Sequence, residues 1–227
     1  EQAGDLDAAQ RSYEQFATFF PDDELRPTAT FRLAALHFAN QEYARASVGF
    51  LGVVESESGE DMQKAALFNL AMCRKQLDDA VQAEQFLQQY MQKYPKDERV
   101  AEVAFHLGEL QERAGRTDQA IVQYQKALSA RPEKALVPQL HYRLGLCHEA
   151  LGDGKAAVAS FKSAQAHPVK TDPFRLSAVV RLAAIYEDKA QYKSALGAYK
   201  DLIRHAGDAE LVAVATERVT QLEQALQ

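Results

Sequence analysis

The chain has 227 residues, a formal net charge of −6 and 47% hydrophobic residues, and it lacks Trp. Interspersed charges leave no basic stripe for nucleic acid, no run nears the roughly 18 apolar residues of a membrane span, and two cysteines cannot build a disulfide framework. Abundant Ala, Leu, Gln and Glu, with only 7 Pro and 11 Gly, favour helix over sheet.

In chain order, one helical pattern returns. Residues 1–23 carry Gly4, Ala9, Tyr13, Phe16 and Pro21, and match only the second half of a later unit. The full units are 27–60, 64–97, 101–134, 138–171 and 176–207, advancing by 37 residues, with one extra before the last. Numbering each unit from its first residue, position 7 is Leu33, Leu70, Leu107, Leu144 and Leu182. Position 8 is always small: Ala34, Ala71, Gly108, Gly145 and Ala183. Position 20 is Ala9, Ala46, Ala83, Ala120, Ala157 and Ala195, and position 24 is Tyr13, Phe50, Leu87, Tyr124, Phe161 and Tyr199. Such periodicity predicts helix pairs (helix A, then helix B) crossing closely at the small residues, with the large ones filling the space around the crossing. Asp78, Gly115 and Gly152 fall in the A–B turn, where a left-handed residue ends a helix at little cost. Pro21, Pro95 and Pro132 stop helix B. Asp172-Pro173 reads as an N-cap and first turn, so the fifth helix A starts there. Residues 208–227 predict a capping helix, with Leu211, Ala215, Val219 and Leu222 on one face and Glu210, Glu217, Arg218 and Glu223 on the other.

The run Leu107-Gly108, Gly115, Ala120, Tyr124, Ala127, Pro132 resembles the tetratricopeptide repeat (TPR). The resemblance covers essentially the whole chain. It implies an all-α TPR α-solenoid, a right-handed superhelix of antiparallel helix pairs with a C-terminal capping helix. The common repeat has 34 residues, and the surplus implies a longer helix A or a wider B–A connection. The first helix B lacks its own helix A, and the native protein is expected to continue upstream. Tyr94-Pro95 followed by Ala104-Phe105-His106-Leu107-Gly108, the 37-residue advance and the tail Ala215–Glu223 are similar to Gram-negative envelope proteins. These are the Tol-Pal cell-division coordinator and the outer-membrane assembly lipoproteins of the BamD kind. A periplasmic or outer-membrane-associated location is the expectation, with the cytoplasm as the alternative.

The resemblance also implies a non-catalytic scaffold whose helices A line a groove through positions 2, 5, 9, 12 and 13. Position 5 is Phe31, Phe68, Phe105, Tyr142 and Val180, rings that either grip a partner segment or pack between neighbouring helices. Around them lie Ala35, Phe38, Ala39, Met72, Lys75 and Gln76 early in the chain, an apolar to mildly basic floor. Glu102, Glu109, Glu112, Glu149, Glu187 and Asp188 follow later. The expected partner is a protein or peptide with an apolar anchor and a basic flank. The residues expected to bind it are Phe31, Phe38, Phe68, Met72, Phe105, Glu109, Glu112, Tyr142, Glu149 and Glu187. Self-association through the first helix, or service as an arm of a larger protein carrying the activity or membrane anchor, are the alternatives. The Lys and Asn of a carboxylate clamp are missing from positions 5 and 9.

No enzymatic chemistry, cofactor or metal is expected. His141 and His148 share a helical face beside Cys147, but they occupy positions 4 and 11, as His37 occupies 11, and no third ligand is evident. Cys73 and Cys147 both fall at position 10 as small hydrophobes, two repeats apart and beyond disulfide reach. Gly152-Asp153-Gly154-Lys155 and Asp78-Asp79 belong to A–B turns, and no phosphate loop or nucleophile elbow occurs.

Overall fold

A computed structural model describes residues 3–226 and is all-α. Glu1, Gln2 and Gln227, which fall in the first half-repeat and the capping segment, lie outside the described residues. Among the described residues there are twelve helices and no strand. They are α1 (Ala3–Phe19), α2 (Arg26–Ala39), α3 (Tyr43–Glu55), α4 (Glu60–Gln76), α5 (Ala80–Lys93) and α6 (Val100–Arg113). Then come α7 (Thr117–Ser129), α8 (Val137–Ala150), α9 (Gly154–Gln165), α10 (Pro173–Asp188), α11 (Tyr192–His205) and α12 (Ala209–Ala225). The chain forms two compact units, 1–110 and 111–227. In the first, each helix from α1 to α5 packs on the next, and α2 also touches α4. In the second, α7 to α12 stack in the same consecutive way, and α8 touches α10. This is the helix-pair packing of a TPR solenoid.

The close crossing is where the periodicity puts it. Ala46, Ala83, Ala120, Ala157 and Ala195 are all fully buried, and so are the position-24 side chains Phe50, Leu87, Tyr124 and Phe161. Gly145 at position 8 of α8 lies against the Phe161 ring so tightly that a Cβ there would enter the ring. A Cβ on Gly49 would meet that of Ala34 at 2.7 Å. The small residues thus leave room for the side chains packed against them, the position-24 ring of Phe161 at Gly145 and the Ala34 methyl at Gly49.

The A–B turn has one conformation in all five repeats. Position 15 has positive φ at Gln41 (62°), Asp78 (56°), Gly115 (72°), Gly152 (77°) and Ala190 (54°). Two of the five positions supply glycine, and the other three carry a Cβ in the left-handed region. Asp79 and Asp153 then cap helices α5 and α9, accepting from the backbone N–H of Gln82 and Ala156. Asp172 does the same for α10, as the Asp-Pro pair predicts, and Asp208 caps α12.

The surplus residues are taken up in both expected ways. Helices α4 and α10 are lengthened to 17 and 16 residues, against 14 for α2, α6 and α8. Elsewhere the connection is wide, as at 94–99 before α6 and 130–136 before α8.

Candidate interaction surface

The position-5 side chains differ in what they leave open. Phe31, on α2, is half-buried and stands edge-on to Phe50 at 5.4 Å. Phe68 is only 8% exposed, between the rings of Tyr90 (6.5 Å) and His106 (6.1 Å), with the Arg99 guanidinium 5.4 Å from its centroid. Phe105 is 6% exposed, tilted against His106 at 5.4 Å. Tyr142 is half-buried against Phe161 (6.0 Å) and Phe174 (6.1 Å), and Val180 is exposed. At Phe68 and Phe105 the burial fits the packing alternative of the two readings of these rings. Their surface is used inside the chain, and half-open rings remain at Phe31 and Tyr142. Phe38, edge-on to Tyr43 at 5.4 Å, and Met72, on the edge of the α4–α5 core, are also half-buried.

Each of the four glutamates expected to bind a partner has an internal cation. Glu109 receives Lys75 at 2.7 Å and lies 3.2 Å from the His106 ring nitrogen. In residues 111–227 a rung repeats: the position-12 glutamate of one helix A meets the arginine at position 6 of the next. The rungs are Glu112–Arg143 at 3.0 Å, Glu149–Arg181 at 2.5 Å and Glu187–Arg218. Position 24 adds a phenol where it is tyrosine. Tyr124 donates its hydroxyl to Glu112 at 2.5 Å; burial and then that carboxylate push its pKa far above the ordinary phenol value. Tyr199 is pushed up by burial and by Glu187. The glutamates are thus partners of their neighbours' arginines and form no open acidic floor; of the groove acids, only Glu102 and Asp188 are solvent-exposed.

One strong polar constellation has almost no sequence signature. Arg175, only 2% exposed in the first turn of α10, donates to the carbonyls of Gln165 (3.0 Å) and Lys170 (2.9 Å) and to Asp201 of α11 (2.5 Å). Asp201 also receives Gln165 and His205. Burial would raise the Asp201 pKa, but the Gln165 amide, the Arg175 guanidinium and His205 together hold it below the usual carboxylate value. This ties the α9–α10 connection to α11, helix B of the fifth repeat. An arginine two residues after Asp172-Pro173 is the only sequence signal, and it does not tell buried from exposed.

Among the described residues no three His, Cys, Asp or Glu are grouped to hold a metal ion. His141 is half-buried, and burial lowers its pKa. His37, buried, bonds Glu42 at 2.6 Å. Cys73 and Cys147 are buried free thiols, each pushed up to about 11, chiefly by burial. No helix of the described residues is long and apolar enough to cross a membrane.

Residues 61–133 and 105–173 match family profiles described as tetratricopeptide repeat. The chain is a tetratricopeptide-repeat protein. The solved structure of MamA is similar over 71% of this chain and 87% of its own, at 22% identity and a TM-score of 0.61. BtubC (BKLC) from P. vanneervenii is similar over 100% of this chain and 93% of its own, at 16% identity and a TM-score of 0.61. A tetratricopeptide repeat protein from Parabacteroides merdae ATCC 43184 is similar over 97% and 81%, at 13% identity and a TM-score of 0.65. At these identities the likeness is one of fold. No curated protein sequence matches the chain. Tetratricopeptide repeats are, as a class, protein-binding modules without catalysis, and in that general sense the chain is an interaction scaffold.

Proposed function

We propose that the solvent side of helices A binds an apolar segment of a partner protein, on α2 and α4 in the first unit and on α8 and α10 in the second. One observation carries this reading: Phe31, Ala35, Phe38 and Met72 stay half-open on adjacent helices A after packing is complete. Tyr142 and Leu146 are half-open, and Val180 and Ala184 exposed, on the corresponding helices of the second unit. Singly scattered exposed apolar residues are ordinary, but ones that recur at positions 5 and 9 of successive helices A suit an extended or helical ligand. The scaffold's setting is a bacterial cell-envelope assembly, a proposal resting on the sequence style of the Tyr94-Pro95 repeat and the C-terminal tail.

The test is in-cell crosslinking and pull-down with wild type and with an Ala35→Glu, Met72→Glu variant whose helicity is checked first. Loss of specific partners supports the reading, and equal recovery of every partner rules it out. Fractionation of the native cells addresses the setting, which fails if the protein is found only in the cytoplasm. A second reading, self-association, is favoured by Phe19 (71% exposed), Phe20 (54%) and Leu25 (61%) at the end of α1 and in the following connection. Light scattering across a concentration series tests it, and a strict monomer excludes it.

A further inference from the structure

We infer that the exposed side of helices α9 and α11 docks on an anionic lipid bilayer, held at the headgroups by lysine charge. These are helices B, so the face differs from the helix-A surface proposed above and is tested separately. Along the sequence the charges are interspersed, and the fold gathers them. Residues 111–227 hold 16 Lys and Arg against 13 Asp and Glu, although the whole chain has a net charge of −6.

Register sets this face apart. Positions 18 and 25 share one side of helix B, opposite the buried Ala157, Phe161 and Ala164 of α9 and the buried Ala195 and Leu202 of α11. In the first three repeats these positions are Ala44 and Leu51, Val81 and Gln88, Asp118 and Gln125. In the fourth and fifth they are Lys155 and Lys162, Lys193 and Lys200, all exposed. Arg204 extends the α11 row by one turn. Lys189, at the end of α10, reaches the start of α9, its Nζ 3.8 Å from where a Cβ on Gly154 would stand. At their other ends the two helices adjoin, Gln165 of α9 donating to Asp201 of α11 at 3.3 Å.

Acids are missing from the same ground. Residues 154–171 contain no Asp or Glu, and α11 contains only Asp201, which Arg175, Gln165 and His205 occupy. Asp153 and Asp172, on either side of that stretch, cap helices. At the border Glu223 of α12 takes Lys200 at 2.6 Å, and Asp188 is exposed beside Lys189. Among the described residues no hydrogen bond or ion pair engages the side chains of Lys155, Lys189 and Lys193.

The chemistry favours a bilayer over an acidic protein or nucleic acid. Five of the six cations are lysines, point charges on flexible stems, whereas a fixed carboxylate or base edge calls for the arginine fork. Seven residues of helix separate the two lysines of each row by about 10 Å, so the charges are spread and do not converge on one anion. Ala159, Ser163 and Gly197, exposed between the cations, offer a base no ring to stack on. A layer of mobile anionic headgroups adapts to spread charge, and each lysine near it adds roughly fivefold to partitioning.

The test is co-sedimentation of the purified chain, at about 0.1 M salt, with vesicles of phosphatidylcholine alone or with about 30% phosphatidylglycerol. The expected result is binding to the anionic vesicles only, lost at about 0.5 M salt. Lys155→Gln, Lys189→Gln, Lys193→Gln should keep wild-type helicity, since these exposed side chains have no partner, and bind roughly a hundredfold more weakly. Arg45→Gln, Lys93→Gln, Lys96→Gln, an equal loss of exposed charge in the first unit, should bind as wild type does. No binding to either vesicle, equal binding to both, wild-type affinity in the lysine variant, or an equal loss in both triple variants overturns the inference. So does tighter binding of polyglutamate or duplex DNA that the lysine variant loses, which assigns the face to an acidic protein or to nucleic acid.

Discussion

Replacing Arg175 by Met should destabilise the second unit more than any surface change. The unbranched Met side chain replaces much of the apolar stem, so the loss falls mainly on the guanidinium and its three partners, Asp201 and the carbonyls of Gln165 and Lys170. Removing one member of a buried pair typically costs 3–5 kcal/mol, because the other charge stays desolvated. Asp201 keeps Gln165 and His205, and its side chain is 14% exposed, so the low end applies, about 3 kcal/mol. At a urea slope of roughly 2 kcal/mol/M, that lowers the midpoint of the transition involving residues 111–227 by about 1.5 M. Hydrogen exchange read by mass spectrometry should show the loss in α10, α11 and the α9–α10 connection, with helices of the first unit unchanged. The sign with pH follows from Asp201, whose pKa is depressed in the fold. Its share of stability is complete above the ordinary aspartate value of about 3.9 and is lost as pH falls through the lower folded value. The gap between wild type and variant should therefore be constant near neutrality and narrow in that acid window. A loss under about 1 kcal/mol, or one spread evenly over all helices, would refute the picture of a buried tie.

Three further outcomes rest on the repeat geometry. Ala190→Gly should raise stability by about 0.5–1 kcal/mol in denaturant titration, because Ala190 sits at φ 54° where Gly115 and Gly152 hold the same turn. The reverse change, Gly152→Ala, should lose a similar amount, and a neutral result for both would show the turn to be unstrained. Gly145→Ala should cost about 1–3 kcal/mol, since its Cβ has to displace the Phe161 ring; thermal unfolding at wild-type temperature would contradict that contact. Tyr124→Phe should cost about 1–2 kcal/mol by removing a charge-assisted bond to Glu112, and an unchanged denaturation midpoint would argue against that bond. Phe161, with no hydroxyl above the Glu149 rung, is the internal precedent that the fold tolerates the change.

What the sequence discloses and what it hides divide along physical lines. The A–B crossing is legible because close backbone approach restricts residue type: six alanines at position 20 and a small residue at every position 8 mark a tight helix crossing and little else. The turn is half legible, because Gly115 and Gly152 announce a left-handed residue while Gln41 and Ala190 adopt it without any compositional sign. The interaction surface is the least legible, because a residue type does not say where its side chain is satisfied. Phe68 and Phe105 occupy the same register position as Phe31, yet the rings next to them, including His106 against both, close the first two and leave the third half-open.

The glutamates make the same point about charge. Glu112, Glu149 and Glu187 look like a free acidic row when helices A are read one at a time. Read with the next helix, each lies 31 or 32 residues before an arginine, a separation set by the 37-residue advance and the six-position step back from position 12 to position 6. The spacing is visible in the sequence, but its meaning requires knowing that these two positions face each other across adjacent helices A. Once they do, the glutamates stop being evidence for a basic ligand.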